Sequence, residues 1–261
     1  MHELIRDGAA LGFVDTGKGA PPLVLIHEVG CDQSSFLPQI EHFSASHRVV
    51  SVDLRGHGRS SGLDEECTIT SLADDVAWLC YELGLYAPVL VGHGLGGMVC
   101  VELAARRPDL AAAIVTLDAP IPLSPRLRSF AESFLKFSSG LSETAFRATL
   151  RALLSNMLPR DAARRFTDPV LWGTSRVSRR AATSAWKGAL EWDAQRALSG
   201  CNVPLLHVDS GFGTSGGPGL GDLYPRLRTA TTGSPNHFAH IREHEQVNEA
   251  IESFLRGLET T

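Results

Sequence analysis

The sequence has no apolar stretch long enough to cross a bilayer, which takes ~20 consecutive residues. Its opening segment, MHELIRDGAALGF, contains acidic residues early and lacks the ~7 to 15 apolar residues of a secretory core. We therefore expect a protein that has no membrane partner and is not exported, and we predict a cytoplasmic location.

The sequence also lacks an excess of cations. Lysine and arginine total 24 against 29 acidic residues, and the formal net charge is -5. The cationic side chains are scattered along the chain, so no basic stripe is available for a nucleic-acid backbone. We expect no nucleic-acid partner and expect a small-molecule substrate, while the oligomeric state stays open.

Cysteine is scarce, and the count of five is odd. The cysteines are widely spaced and lie mostly on apolar patterns, which does not resemble a disulfide framework. We predict reduced core thiols, in keeping with a cytoplasmic protein, at Cys31, Cys67, Cys80, Cys100 and Cys201.

What the chain does have is a regular alternation of short apolar runs and amphipathic segments. With 261 residues, of which 43% are hydrophobic, it is long enough to bury an ample core in one α/β fold that carries an insertion. Strands that alternate with helices predict a mostly parallel sheet flanked by helices. The predicted elements are a hairpin at Leu4–Ile5 and Leu11–Val14, strands at Leu23–Ile26, Arg48–Asp53, Ala112–Leu117 and Val203–Val208, and a helix at Thr70–Leu83.

The alternation stops between Ile121 and Ser199, where only helical patterns occur. We predict that residues 121–199 form a helical insertion between the two parts of a core domain at residues 1–120 and 200–261. The inserted segment is rich in aromatic residues, including Trp186. Some of these must line a cleft, which favours a small apolar or aromatic substrate.

The segment from Pro88 to Arg106, PVLVGHGLGGMVCVELAAR, organises the rest. A short apolar run meets a glycine-bracketed turn and then a helix-forming stretch, which is how a nucleophile elbow of the pattern G-x-S-x-G is built. This chain has Gly94 at the apex, where the pattern has serine. The expected attacking atom is therefore missing, either by nature or by an engineered substitution.

The motif GHGLGG resembles the alpha/beta-hydrolase superfamily, and more narrowly its capped, esterase-like and lactonase-like members. This resemblance implies that the helical insertion at residues 121–199 is a cap that closes over the pocket. The resemblance covers nearly the whole chain and implies an oxyanion loop after the first parallel strand, here His27-Glu28-Val29-Gly30. It assigns the two oxyanion donors to the N–H groups of Val29 and Leu95. Glu28 replaces the usual glycine, and a carboxylate there opposes a growing negative charge unless it points to solvent.

The same resemblance places the catalytic base at His237, in the segment SPNHFAH before the last helix. In the order nucleophile, acid, histidine, the catalytic positions are then Gly94, Asp118 and His237. Asp209 is the alternative acid, since the usual position further along holds Phe212 and Gly213. These last two residues lie in a glycine-rich segment, Ser210–Gly221, that we predict to be a mobile loop.

Four further residues are predicted to bind substrate because they adjoin the loop, the turn or the cleft: His27, Glu28, His93 and Trp186. No cofactor is expected. A metal site built from the histidines and Glu28 matches no ligand spacing, so none is predicted.

Three functions remain open at this point. The first is an ester or lactone hydrolase that is impaired as written because of Gly94. The second is an enzyme that needs no nucleophile and uses His237 as a general base, as a lyase or a cofactor-free oxygenase would. The third is a ligand-binding pseudoenzyme. Glu28 favours the second, because a simple inactivating substitution would change one residue only.

Overall fold

The protein forms an eight-stranded, mostly parallel sheet flanked by helices. A computed structural model describes residues 2–60, 67–212, 220–224, 226–233 and 235–258. The strands lie in the order β1-β2-β4-β3-β5-β6-β7-β8. Their bounds are β1 His2–Arg6, β2 Ala9–Thr16, β3 Leu23–Ile26, β4 Val49–Val52, β5 Val89–His93, β6 Ala113–Leu117, β7 Leu205–Asp209 and β8 Leu227–Thr231.

Strand directions follow the predicted pattern. β1 and β2 form the antiparallel hairpin, and β2 continues antiparallel to β4. From β4 to β8 every neighbouring pair is parallel. The predicted α/β fold is confirmed, and the carboxyl ends of β3, β5, β6 and β7 meet at one edge, where such sheets bind ligands.

Helices cover both faces of the sheet. Their bounds are α1 Leu37–Phe43, α2 Ile69–Glu82, α3 Leu95–Arg106, α4 Pro125–Ser138, α5 Glu143–Met157, α6 Arg164–Gly173, α7 Arg179–Glu191, α8 Ala194–Gly200, α9 Leu220–Leu223, α10 Ala239–Arg242 and α11 His244–Leu258. None of the helices in the described ranges is long and apolar enough to cross a membrane.

The core has two layers because consecutive side chains of a buried strand point to opposite faces. On β3, Leu23 and Leu25 face a cluster that contains the apolar sides of α1 and α11. Val24 and Ile26 face a larger cluster that contains α2, α3 and residues of the helices after β6. Burial on both faces is why this strand is apolar throughout.

Five helices, α4 to α8, lie between β6 and β7, and residues 121–199, all of which are described, contain no strand. α8 packs against α3, while α4 packs against α7. The division into a two-part core and a separate cap stays a prediction. In the predicted glycine-rich loop, residues 213–219, including Gly213, lie outside the described residues.

Two buried histidines hold the loops at the carboxyl edge. The Nε2 atom of His27 accepts a hydrogen bond of 2.9 Å from the Leu54 N–H, so its proton is on Nδ1, which lies 2.7 Å from the Glu28 carbonyl oxygen. Burial lowers the pKa of His27 to about 4 and that of His57, whose ring packs against it, to about 3. Both side chains are therefore neutral supports.

The glycines of the turn after β5 allow a close approach of backbone segments. A Cβ atom on Gly96 would lie 2.1 Å from the carbonyl oxygen of Ile26, and one on Gly92 would lie 2.3 Å from that of Gly96. Real Cβ atoms do not come so close to backbone, so these positions require glycine.

We expect Gly96→Ala to lower the free energy of unfolding by roughly 3 kcal/mol or more, because β3 and α3 would have to separate. The matched control is Gly140→Ala, since nothing lies within 4 Å of a Cβ atom there. Urea unfolding followed by circular dichroism measures both variants. Equal stability of the two would contradict the proposed close contact.

The buried histidines also predict acid sensitivity. Between pH 6.5 and about 4 the unfolded chain protonates His27 while the folded protein does not. The unfolded state then binds more protons, so the stabilising contribution of this group is complete above pH 6.5 and is lost as the pH falls towards 4. Each such histidine contributes about 1.4 kcal/mol per pH unit in that window.

Asp53 acts in the opposite direction, because burial raises its pKa to about 6. The folded state therefore binds one additional proton at Asp53, which partly offsets the two additional protons that the unfolded state binds at His27 and His57. We expect the free energy of unfolding to fall with decreasing pH in wild-type protein, and to fall less steeply in His57→Gln. Urea titrations across the window check this, and an unchanged slope in the variant would be the contrary result.

Candidate functional site

A cavity of about 370 Å³ lies between the carboxyl edge of the sheet and helices α4, α5 and α7. Its wall is mostly apolar, and includes Leu95, Met98, Leu127, Leu150, Leu154 and Trp186. Among the described lining residues, the acidic or basic side chains are Glu28, Arg126 and His237. The predicted preference for an apolar or aromatic molecule therefore fits the cavity.

Gly94 lies at the turn between β5 and α3, directly before Leu95, which lines this cavity. Its φ of 53° and ψ of -118° belong to a region that side chains other than glycine rarely adopt. The Gly94 N–H donates to the Leu117 carbonyl oxygen of β6, and the Gly97 N–H donates to the Gly94 carbonyl oxygen. The turn is thus tied both to the neighbouring strand and to the first turn of α3.

The Glu28 carboxylate occupies the predicted oxyanion hole. Its Oε1 atom accepts a hydrogen bond of 2.6 Å from the Val29 N–H, and its Oε2 atom accepts one of 2.9 Å from the Leu95 N–H. From the sequence, we expected a carboxylate at this position to be compatible with the oxyanion hole only if it pointed to solvent. In the structure it points into the hole instead. Two converging amides and the N-terminus of α3 stabilise a negative charge here.

Glu28 also fills the space that a side chain at position 94 would need. A Cβ atom built on Gly94 would lie 1.6 Å from Oε2 and 2.5 Å from the carboxyl carbon of Glu28. The two departures from the hydrolase motif are therefore physically linked. Without a side chain at position 94, the carboxylate reaches both amides.

His237 lies beside this carboxylate. Its Nε2 atom is 3.5 Å from Oε2 of Glu28, and its side chain is almost fully buried. The His237 carbonyl oxygen is 2.7 Å from Nε2 of His93, and the neighbouring Asn236 side chain bonds to the Met157 carbonyl oxygen on α5. The loop that carries His237 is thus fixed from both the sheet and the helices.

The predicted hydrogen bond from His237 to an acid is not formed. Within the described residues, Nδ1 of His237 is buried and has no hydrogen-bond partner. Asp118, which follows β6 with a φ of 44°, accepts instead from the Ser210 N–H at 2.9 Å. Burial raises the pKa of Asp118, and the charge of nearby His237 opposes this rise.

Asp209 is occupied by its own loop, since its Oδ1 atom accepts from the Gly211 N–H at 2.7 Å. For Asp118, the charge of nearby His237 opposes the rise in pKa that burial causes. Its role as the group that orients the imidazole stays a prediction.

Two predicted substrate-binding residues lie elsewhere. His27 and His93 are fully buried and are not among the described residues that line the cavity. His27 bonds to two backbone groups, while the His93 ring packs against those of His237 and His240. Both are supports behind the site, because a histidine that ends a strand points into the packed layer as readily as out of it.

Glu28 and Trp186 do line the cavity, as predicted. Sequence reasoning missed Arg126, an exposed residue in the first turn of α4. Arg126 lies in a segment whose apolar pattern predicts only a helix. The presence of two arginines and no acid between Pro125 and Phe130 is the signal that was available.

The chain was compared with known proteins. The profile described as alpha/beta hydrolase fold matches residues 21–218. A 2-(acetamidomethylene)succinate hydrolase of Mesorhizobium japonicum is 30% identical over 198 residues, which cover 73% of this chain and 71% of that protein. An (E)-2-((N-methylformamido)methylene)succinate hydrolase of Acinetobacter baylyi is 34% identical over 106 residues, 41% of this chain and 40% of that protein.

With several of these relatives, the match spans only about two fifths of the relative's length. Among solved structures, a thermophilic esterase from Thermogutta terrifontis superposes with a TM-score of 0.83 and 22% identity, and 99% of each chain is covered. At that identity the likeness shows the fold alone. The profile and the hydrolase of Mesorhizobium japonicum together show that this chain belongs to the alpha/beta hydrolase family.

Proposed function

We propose that this protein hydrolyses a small apolar or aromatic ester or lactone, and that Glu28 and His237 carry the chemistry in place of a nucleophile at position 94. The observation that supports this most is the position of the Glu28 carboxylate, which fills the space of the missing side chain and accepts from both amides. The helices α4, α5 and α7 act as a cap over the substrate.

The proposal rests on three features that act together. The carboxylate is held by short bonds of 2.6 and 2.9 Å, so it is fixed in one orientation towards the cavity. The imidazole lies 3.5 Å from it and is the base that activates water. The largely apolar wall excludes bulk water, which strengthens electrostatic interactions inside the site.

Relatives that are named as hydrolases of amide-type succinate derivatives support hydrolysis as the reaction class. The apolar lining favours a substrate body without many polar groups. Asp118 completes the proposal as the charge that stabilises protonated His237, since the charge of the imidazole opposes the rise in the pKa of this buried carboxyl. The chemistry needs no cofactor.

The first test removes one catalytic group at a time. We expect Glu28→Gln and His237→Ala each to lower hydrolysis of benzyl esters and phenyl-substituted lactones by about 10²-fold or more, since removing either member of a group that acts as a unit removes most of the effect of the whole group. The matched control is Glu41→Gln on α1, an exposed glutamate outside the cavity. Rates are followed by proton release. Full activity of Glu28→Gln would contradict the proposal.

A second candidate is a serine-type hydrolase whose nucleophile is absent. The observation that favours it is the geometry of the Val29 and Leu95 amides, which converge on one carboxylate group. On this view Glu28 merely fills an unused hole. Gly94→Ser would supply a hydroxyl at the apex of the turn, but Glu28 stands in the way of the new side chain.

The second test follows from that steric conflict. We expect Gly94→Ser to gain nothing, and Gly94→Ser combined with Glu28→Gly to gain about 10²-fold or more in ester hydrolysis over Glu28→Gly alone, because the hole is then free. Adding His237→Ala should abolish the gain. The comparison uses p-nitrophenyl acetate. Activity in the single variant Gly94→Ser would show that Glu28 does not block the site.

A further inference from the structure

We propose that Glu28 is the nucleophile and that it attacks the saturated carbon of the ester or lactone, so that the alkyl–oxygen bond is cleaved rather than the acyl–oxygen bond. This inference rests on the proposed function and adds to it which bond breaks and which residue forms the covalent intermediate. It is carried by the contacts of one carboxylate with two amides and one imidazole.

The amides are the first step of the argument. Cleavage at a substrate's acyl carbon places negative charge on the carbonyl oxygen, which must be bound by preorganised donors. Here the N–H groups of Val29 and Leu95 are already bound to Glu28 at 2.6 and 2.9 Å. A substrate carbonyl therefore does not obtain these donors while Glu28 holds its place.

The second step concerns the carboxylate itself. An ionised carboxylate has about four acceptor positions, and each oxygen of Glu28 uses one of them on an amide. Oε2 lies 1.6 Å from where a Cβ atom of residue 94 would be, and Glu28 itself lines the cavity. A lone pair of a fixed carboxylate is thus available at the place from which this fold attacks its substrate.

The first chemical step is a displacement. A bond forms between a Glu28 oxygen and the saturated carbon, and the bond from that carbon to the ester oxygen breaks. The electron pair leaves with the ester oxygen as the carboxylate of the product acid. No proton has to be supplied for this departure. That suits a cavity whose described lining residues offer Arg126 as the permanent cation.

The second step hydrolyses the glutamyl ester. His237 takes a proton from water, and the hydroxide adds to the carboxyl carbon of Glu28. The negative charge develops on an oxygen that the Val29 or Leu95 amide already binds. The oxyanion hole therefore stabilises the tetrahedral intermediate formed from the glutamyl ester. The alcohol leaves with a proton from the imidazolium, and Glu28 returns as a carboxylate. The remaining proton is released with the acid product.

The stereochemistry of the product tests this inference. The probe is one enantiomer of a β-lactone with a phenethyl group on the carbon that bears the ring oxygen. Attack by Glu28 inverts that carbon, and the later addition of water does not touch it, so we expect the hydroxy acid of inverted configuration. Retained configuration, with hydrolysis that still depends on Glu28 and His237, would overturn the inference and leave the proposed function standing.

Labelled water gives a second readout. In ¹⁸O-water the acid group should carry no label, and the alcohol oxygen, which comes from Glu28, should be unlabelled in the first turnover and labelled afterwards. Label in the alcohol during the first turnover would mean that water attacks directly, and would contradict a covalent role. Label in the acid would show acyl–oxygen cleavage.

The intermediate itself should accumulate when water activation is removed. In His237→Ala, we expect the peptide that contains Glu28 to gain the mass of one lactone as an ester that resists hydroxylamine, whereas an anhydride would be cleaved. Glu28→Gln is the matched control and should gain nothing. If neither variant differs from wild type in hydrolysis, the proposed function fails and this inference fails with it.

Discussion

The structure of the site depends on one interaction, the binding of the Glu28 carboxylate by the Val29 and Leu95 amides. A buried carboxylate is unfavourable unless donors replace its hydration, and charge-assisted bonds of 2.6 and 2.9 Å do so here. The interaction is possible only because Gly94 has no side chain. A Cβ atom there would lie 1.6 Å from Oε2, so the glycine and the glutamate require each other.

The parallel sheet brings these partners together. Glu28 follows β3 and Leu95 opens the helix after β5, and the two residues are separated by 67 positions in the chain. They meet because β3 and β5 pair directly, with Ile26 opposite Gly92, and because a parallel sheet collects its carboxyl ends at one edge. The N-terminus of α3 then adds a favourable field for a negative charge.

The same arrangement changes what the family's frame can do. The Val29 and Leu95 amides, which would stabilise negative charge on a substrate, bind the Glu28 carboxylate instead. This carboxylate lies 3.5 Å from the His237 imidazole, in a cavity whose wall is mostly apolar. In a site of this kind the carboxylate is held in one orientation before the reaction begins, so little reorganisation is needed during the reaction. The buried histidines behind it, His27 and His93, contact the backbone of neighbouring loops and do not line the cavity.

The sequence by itself determined the fold, because apolar runs that alternate with amphipathic segments admit few arrangements, and it located the turn at Gly94, the loop at Glu28 and the loop at His237. Periodicity and motif spacing report on the backbone and on which residues end a strand. Only the tertiary structure decided where the end of a side chain goes: that Glu28 turns into the hole rather than to solvent, that Asp118 bonds to Ser210 rather than to His237, and that His27 and His93 point away from the cavity. Such choices depend on contacts between residues far apart in the chain. The effect of the missing Cβ atom of Gly94 on the position of Glu28 is not visible in the local sequence pattern around either residue.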